Sequence, residues 1–254
     1  FNLPKDDNGS ISDDTRLRAA LPTINFLTTA NAKVILISHL GRPNGKCDPR
    51  LSLSFVIPAL SKALGTKVSF NDNLEFKNVD KIRPGEIMLL ENIRFHKGET
   101  SGNIKLARKI AQLGDVFIQD AFSTAHRKHS SSSVVGDLLP SYPGLAMERE
   151  IEHISHALNT PRSPVMGVVG GAKVSTKIEF FMTEKSTKKS FFYRSKGKFL
   201  LKKLFNFDLL SFLDCLKLIN LSKYLKLNQL SSEIRGRKTK LDCAYLRPVV
   251  FTYK

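Results

Sequence analysis

Val34-Ile-Leu-Ile-Ser-His-Leu-Gly-Arg-Pro43 sets four apolar residues directly before a polar loop carrying an arginine. An apolar run this short, rich in branched side chains and bounded by loop residues, reads as a strand buried on both faces. The arrangement recurs twice. Ile87–Leu90 leads into Glu91-Asn-Ile-Arg-Phe95, and Val116–Ile118 leads into Asp120-Ala-Phe-Ser-Thr-Ala-His-Arg-Lys-His129. Parallel α/β sheets bind ligands outside the carboxyl ends of their strands, where the loops converge. Arg42, Arg94 and Arg127 therefore predict a pocket for a polyanion, because guanidinium offers a planar fork of donors that fits phosphate or carboxylate bidentately.

The segments around these runs supply the helices. Asp13 and Asp14 can cap a helix over Arg16–Thr29 with Leu17, Ala20, Leu21, Ile24 and Leu27 on one face. Ser52 or Ser54 can open a second helix to Leu64, closed by Gly65. Val68–Phe70 is a short strand. Ile104–Leu113 reads as a helix ended near Gly114, Met147–Leu158 as another, and Val165–Val169 as a further strand. This βαβα rhythm predicts a doubly wound, Rossmann-like parallel sheet in a three-layer α/β/α arrangement.

Composition divides the chain near Phe180. Residues 1–180 hold 13 Ala, 13 Gly and 10 Pro, and residues 181–254 hold one Ala, two Gly and one Pro. The net charge of +17 follows the same boundary, with 17 Lys and Arg against 5 Asp and Glu after residue 180. Turn punctuation, which a folded α/β region needs about once per element, nearly vanishes there. A weak helical pattern can be drawn over Phe199–Leu230, with apolar residues on almost every face. The aberrant basic tail reads as the product of a frame break in an AT-rich gene, without a designed function. The alternative is a basic interaction tail for membrane or nucleic acid, although neither a nucleic-acid-binding motif nor a clean two-faced helix supports it. The expected organisation is a substrate-binding domain over 1–164, truncated at its start, the start of a nucleotide-side region over 165–180, and the tail over 181–254.

Several classes of chemistry are disfavoured. Cys47, Cys215 and Cys243 give neither a disulfide framework nor zinc spacing, so a reducing cytosol is expected. No signal peptide and no apolar stretch of membrane-spanning length occurs. His126 and His129 lack a carboxylate or thiol at ligand spacing, so no metal is expected on them, and His126 is better placed to contact an anion beside Arg127. Nothing resembles a nucleophile with its base, which argues against covalent catalysis. Gly170-Gly171-Ala172-Lys173-Val-Ser-Thr-Lys177 follows a strand and should open a helix. Backbone N–H groups there could approach an anion at the helix's positive end, with Lys173 and Lys177 on one face. An ordinary tight turn followed by surface lysines fits those residues as well.

Taken in order, these segments resemble phosphoglycerate kinases. Phe1-Asn-Leu-Pro4 looks like the family's Asp-Phe-Asn-Val-Pro strand end with the Asp lying before residue 1, and Thr15–Ala20, Ser38–Pro43, Leu89–Phe95, Gly114–Ser131 and Gly170–Lys177 follow at similar spacing. The resemblance covers about Phe1–Phe180 and implies phosphoryl transfer between 1,3-bisphosphoglycerate and ADP, giving 3-phosphoglycerate and ATP with Mg2+ in glycolysis, by a cytoplasmic monomer without nucleic-acid or membrane partners. It implies that Asn2, Arg16, His39, Arg42, Arg94 and Arg127 hold the three-carbon acid, that Gly171, Lys173 and Lys177 serve the nucleotide, and that Arg16 and Lys177 act in the transfer itself. The family's later Gly-Gly-Gly, Asn-Gly-Pro and Gly-Gly-Gly-Asp-Thr segments do not follow Lys177 here. That departure gives the expectation that the chain by itself is inactive or severely impaired, retaining at most weak affinity for the acid, and the start at Phe1 gives a second, that a central strand preceding it is missing from the sheet.

Overall fold

The computed structural model describes residues 1–6, 9–159, 166–170, 189–195, 198–204 and 248–252. Contacts divide the chain into one unit of Phe1–Glu150 with Ser222–Lys254 and another of Ile151–Leu221.

The first unit begins with α1 (Thr15–Thr29), β1 (Val34–Ile37), α2 (Val56–Leu64), β2 (Val68–Asn71) and β3 (Ile87–Leu90). It continues through α3 (Ile104–Ala111), β4 (Val116–Gln119), α4 (Phe122–Ala125), β5 (Ser141–Pro143) and the start of α5 (Leu145–Asn159). The second unit holds β6 (Met166–Gly170), β7 (Lys189–Ser195) and β8 (Lys198–Leu204), with β6 parallel and β8 antiparallel to β7. The last strand, β9 (Val249–Thr252), returns to the first unit.

That unit is built on a six-stranded sheet in the order β2-β3-β1-β9-β4-β5, and every pairing is parallel. Alternate side chains of a strand leave opposite faces. Val34 and Leu36 accordingly pack with α1 and α2 residues such as Leu17, Ile24, Val56 and Leu60. Ile35 and Ile37 pack on the other face with Leu106 and Ile110 of α3. Both faces are covered, which explains why these strands are apolar throughout. The doubly wound three-layer fold read from the sequence is the fold observed.

Local differences have identifiable causes. The helix expected from Ser52 or Ser54 starts only at Val56. Glu91, beyond β3, takes Ser52 Oγ at 2.7 Å and the Leu53 N–H at 2.9 Å, holding that stretch in a turn. Gly65 does close α2, in the left-handed conformation at φ 65°. In the tail, Phe199–Leu204 belongs to β8 and not to a helix. An apolar residue on every face of a helical projection is also what a short strand produces. The sheet is not short of a central strand either, because β9 occupies the position between β1 and β4. Among the described residues, no helix is long and apolar enough to cross a membrane.

Candidate functional site

Loops leaving the carboxyl ends of β1, β3 and β4 meet over a cavity of about 410 Å3 lined by Arg42, Arg94, Arg127, His96, Lys97, Glu99, Thr100 and His129, among others. The β1 loop turns at Gly41, where φ is 62° and an added Cβ would stand 2.9 Å from Leu51 Cδ2, so glycine suits both the conformation and the space. Asn92 binds this loop to the next one, its Nδ2 donating to Leu40 O at 2.8 Å and Leu51 O at 2.9 Å. The Asn92 Oδ1 accepts from the Arg94 N–H at 3.1 Å, opening the turn Ile93–Phe95 that aims Arg94. Beyond β4, α4 ends at His126, and the Arg127 carbonyl accepts from Ser132 Oγ at 3.3 Å and Ser133 Oγ at 3.0 Å.

The cavity is electrostatically unbalanced toward positive charge. Arg94 is half-buried, its Nη1 donates to Gly41 O at 2.6 Å, and its Nε is buried without a hydrogen-bond partner. Burial lowers the pKa of its guanidinium from the usual value, and neighbouring Arg127 and Arg42 lower it further, while Glu99 pulls the other way. Like charges gathered at a concave site favour the arrival of an anion. Glu99 is 1% exposed, accepts from Ser131 Oγ at 2.6 Å and the Ser131 N–H at 3.0 Å, and lies 3.8 Å from His129 Nδ1. The His96 ring stacks on Phe76 with centroids 5.0 Å apart, and burial depresses its pKa below the ordinary imidazole value.

Arg42, Arg94 and Arg127, predicted from the sequence, come together on the cavity wall. Asn2, Arg16 and His39 are not among the lining residues. Asn2 Oδ1 accepts from the Gly41 N–H at 3.2 Å, and Arg16 Nη1 donates to the Asn2 carbonyl at 2.5 Å. His39 is buried at the end of β1. The exposed His126 lies beside the site without lining it, and His129 takes that place. Gly171, Lys173 and Lys177 lie outside the described residues. Sequence reasoning missed His96, Lys97, Glu99 and Thr100. Their signal was the polar cluster Phe95-His-Lys-Gly-Glu-Thr100 directly after the second arginine loop.

The family model for phosphoglycerate kinase matches residues 1–186. The chain belongs to the phosphoglycerate kinase family. The phosphoglycerate kinase of Caulobacter sp. (strain K31) is 48% identical over 183 residues, covering 70% of this chain and 46% of that protein. The phosphoglycerate kinase of Aquifex aeolicus (strain VF5) is 45% identical over 184 residues, again 70% of this chain and 46% of that protein. The phosphoglycerate kinase structure from Coxiella burnetii superposes with a TM-score of 0.64 at 40% identity, covering 71% of this chain and 46% of that one. The phosphoglycerate kinase structure from Pyrococcus horikoshii OT3 gives 0.61 at 31% identity, with 70% and 46% covered. The chain thus spans less than half the length of these phosphoglycerate kinases.

Proposed function

We propose that the arginine cavity binds 3-phosphoglycerate, and that in the family's reaction it holds the three-carbon acid while a phosphoryl group passes between 1,3-bisphosphoglycerate and ADP. One observation carries this reading. Arg42, Arg94 and Arg127 arrive from three separate strand ends at one concave site, and the half-buried Arg94 charge is disfavoured there until an anion comes. Phosphoryl transfer needs positioned groups and neutralised charge in place of a covalent nucleophile, and guanidinium groups supply both. Asn2 ties Arg16 to the Gly41 loop, and the exposed Arg16 is proposed to exchange its bond to the Asn2 carbonyl for one to the transferring phosphoryl group.

Nucleotide binding with Mg2+ falls to Gly171, Lys173 and Lys177 in this reading. Among the described residues no cluster of His, Cys, Asp or Glu could hold a metal ion. Because the family's Gly-Gly-Gly, Asn-Gly-Pro and Gly-Gly-Gly-Asp-Thr segments do not follow Lys177, these 254 residues are proposed to bind the acid without turning it over by themselves. Calorimetric titration with 3-phosphoglycerate tests the reading. Binding to the unaltered chain, lost in the Arg42→Ala, Arg127→Ala double variant, supports it; equal affinity in the two removes the cavity as the site.

A further inference from the structure

One of the two central strands of the first unit's sheet comes from the far end of the chain. Val249–Thr252 lies between β1 and β4, with Val34, Ile35, Leu36 and Ile37 in register on one side and Val116, Phe117, Ile118 and Gln119 on the other. The Val249 N–H donates to Lys33 O at 2.6 Å, the Asp115 N–H to Pro248 O at 3.0 Å and the Asp120 N–H to Thr252 O at 3.0 Å. Without this strand, β1 and β4 would stand two strand spacings apart, about 10 Å, with a row of buried backbone groups unpaired on each.

The slot fits what fills it. Val249 and Phe251 join the core beneath α1, and Val250 joins the core beneath α3. At its entrance Gly114 passes so close to Pro248 that an added Cβ would lie 1.8 Å from the Pro248 oxygen. At its carboxyl end the surroundings turn polar: Gln119, level with Thr252, has buried amide atoms without partners, and so does the Ser38 hydroxyl. Val249, Val250 and Phe251 fill the apolar part of the slot, and Thr252, the one hydroxylated residue of the strand, lies at its polar end.

Because β9 is parallel to its neighbours, its carboxyl end reaches the edge of the sheet that bears the arginine loops. Thr252, fully buried, donates through Oγ1 to Ser131 O at 2.9 Å. Ser131 in turn holds both oxygens of Glu99, the buried carboxylate that shares the cavity wall with Arg94. We propose that Val249–Thr252 is a working part of the arginine cavity, and that Thr252 is a positioning residue that sets Ser131 and Glu99 and through them the arginines. The second half of this proposal rests on the cavity being the acid site.

Two measurements on the full 254-residue chain decide it. Amide hydrogen exchange followed by NMR should protect Val250 and Phe251 as strongly as Leu36 and Ile118, and exchange at unstructured rates would overturn the strand's placement. Titration with 3-phosphoglycerate should show Thr252→Val weakened about three- to tenfold, the effect of one lost buried hydrogen bond, with Thr252→Ser within about twofold of the unaltered chain. Valine keeps the size of threonine but leaves Ser131 O without that donor, so urea unfolding of both variants is read beside the titration, and an undiminished affinity in folded Thr252→Val overturns the positioning role. Failure of the unaltered chain itself to bind would sink the functional reading and the positioning role together, leaving the strand's place to stand or fall on exchange alone.

Discussion

Replacing Arg94 by methionine separates what this arginine does for the fold from what it does for a ligand. In the absence of an anion, two effects on stability oppose one another. The variant loses the bond from Nη1 to Gly41 O at 2.6 Å, and a hydrogen bond to a charged group contributes about 1.5–3 kcal/mol. It also removes a half-buried charge beside Arg127 and Arg42 whose Nε has no partner. Burying such a charge costs free energy of similar size, and methionine keeps most of the packing of the aliphatic stem. Net stability should therefore stay within about 1 kcal/mol of the unaltered chain. Binding has no such compensation. Losing one charge-assisted contact of about 1.5–3 kcal/mol weakens 3-phosphoglycerate roughly 12- to 150-fold. Urea unfolding and calorimetric titration at fixed ionic strength read the two quantities separately. An affinity within about twofold of the original would refute the role given to Arg94 in the cavity. A stability loss above about 3 kcal/mol would instead make Arg94 chiefly a brace for the Gly41 loop.

Phe251→Ala removes a fully buried ring from the central strand and should lower stability by about 3–5 kcal/mol in urea unfolding, whereas a loss under about 1 kcal/mol would mean that β9 is not in the core. Gly114→Ala forces a Cβ against Pro248 O and should cost about 1–3 kcal/mol while freeing the Phe251 amide to exchange; protection equal to that of the unaltered chain would contradict the close approach. Asn103 accepts from the Lys105 and Leu106 N–H groups at 2.8 and 3.3 Å, so Asn103→Ala should cost about 1 kcal/mol through α3, and an unchanged unfolding midpoint would show the cap to be dispensable. Burial raises the Asp120 carboxyl above its ordinary 3.8, although Met147 N and Thr23 Oγ1 donate to it. Folded Asp120 thus holds its proton to higher pH than unfolded Asp120, and the stability tied to that proton is complete below about pH 3.8 and lost as pH rises through the folded value. The unaltered chain should therefore lose stability relative to Asp120→Asn as pH is raised from about 4 toward 7, and a difference independent of pH would show that the carboxyl is not desolvated.

The parts of the fold legible in the sequence were those governed by short-range rules. Val34–Ile37 and Ile87–Leu90 are apolar at every position because helices cover both faces, and that requirement is visible one residue at a time. Gly65 announces its left-handed turn for the same reason. The arginines were legible because strand ends are where loops converge in such sheets. What escaped were relations between distant segments. Ser52 is a good helix cap in isolation, and only the folded chain brings Glu91 to it. Glu99 looks like one surface carboxylate among many until Ser131 binds both its oxygens and buries it in the cavity wall. His129 displaces His126 from the cavity wall because the bend after Arg127 turns the later residue inward, a reversal that spacing alone does not encode.

The carboxyl-terminal strand raises a separate question of origin, and its physical demands are low enough to keep origin and role apart. Parallel pairing is made by backbone groups that every residue except proline carries in full, so the slot between β1 and β4 selects by apolarity and size. Val-Val-Phe-Thr satisfies it with two branched residues, one aromatic and a terminal hydroxyl. A tail written in a shifted frame and rich in Phe, Leu and Lys could supply such a tetrapeptide without selection for it. Translating the nucleotide sequence beyond codon 180 in the other two frames is expected to recover the family's Gly-Gly-Gly and Asn-Gly-Pro segments, and their absence from both frames would discard the frame break. Recovery would leave the strand's place and the Thr252 bond to Ser131 intact, because backbone pairing, burial and a hydroxyl act alike whatever the origin of the residues that supply them. Exchange protection at Val250 and Phe251 decides the strand's place, and titration of Thr252→Val decides its role, whatever the history of the codons that encode them.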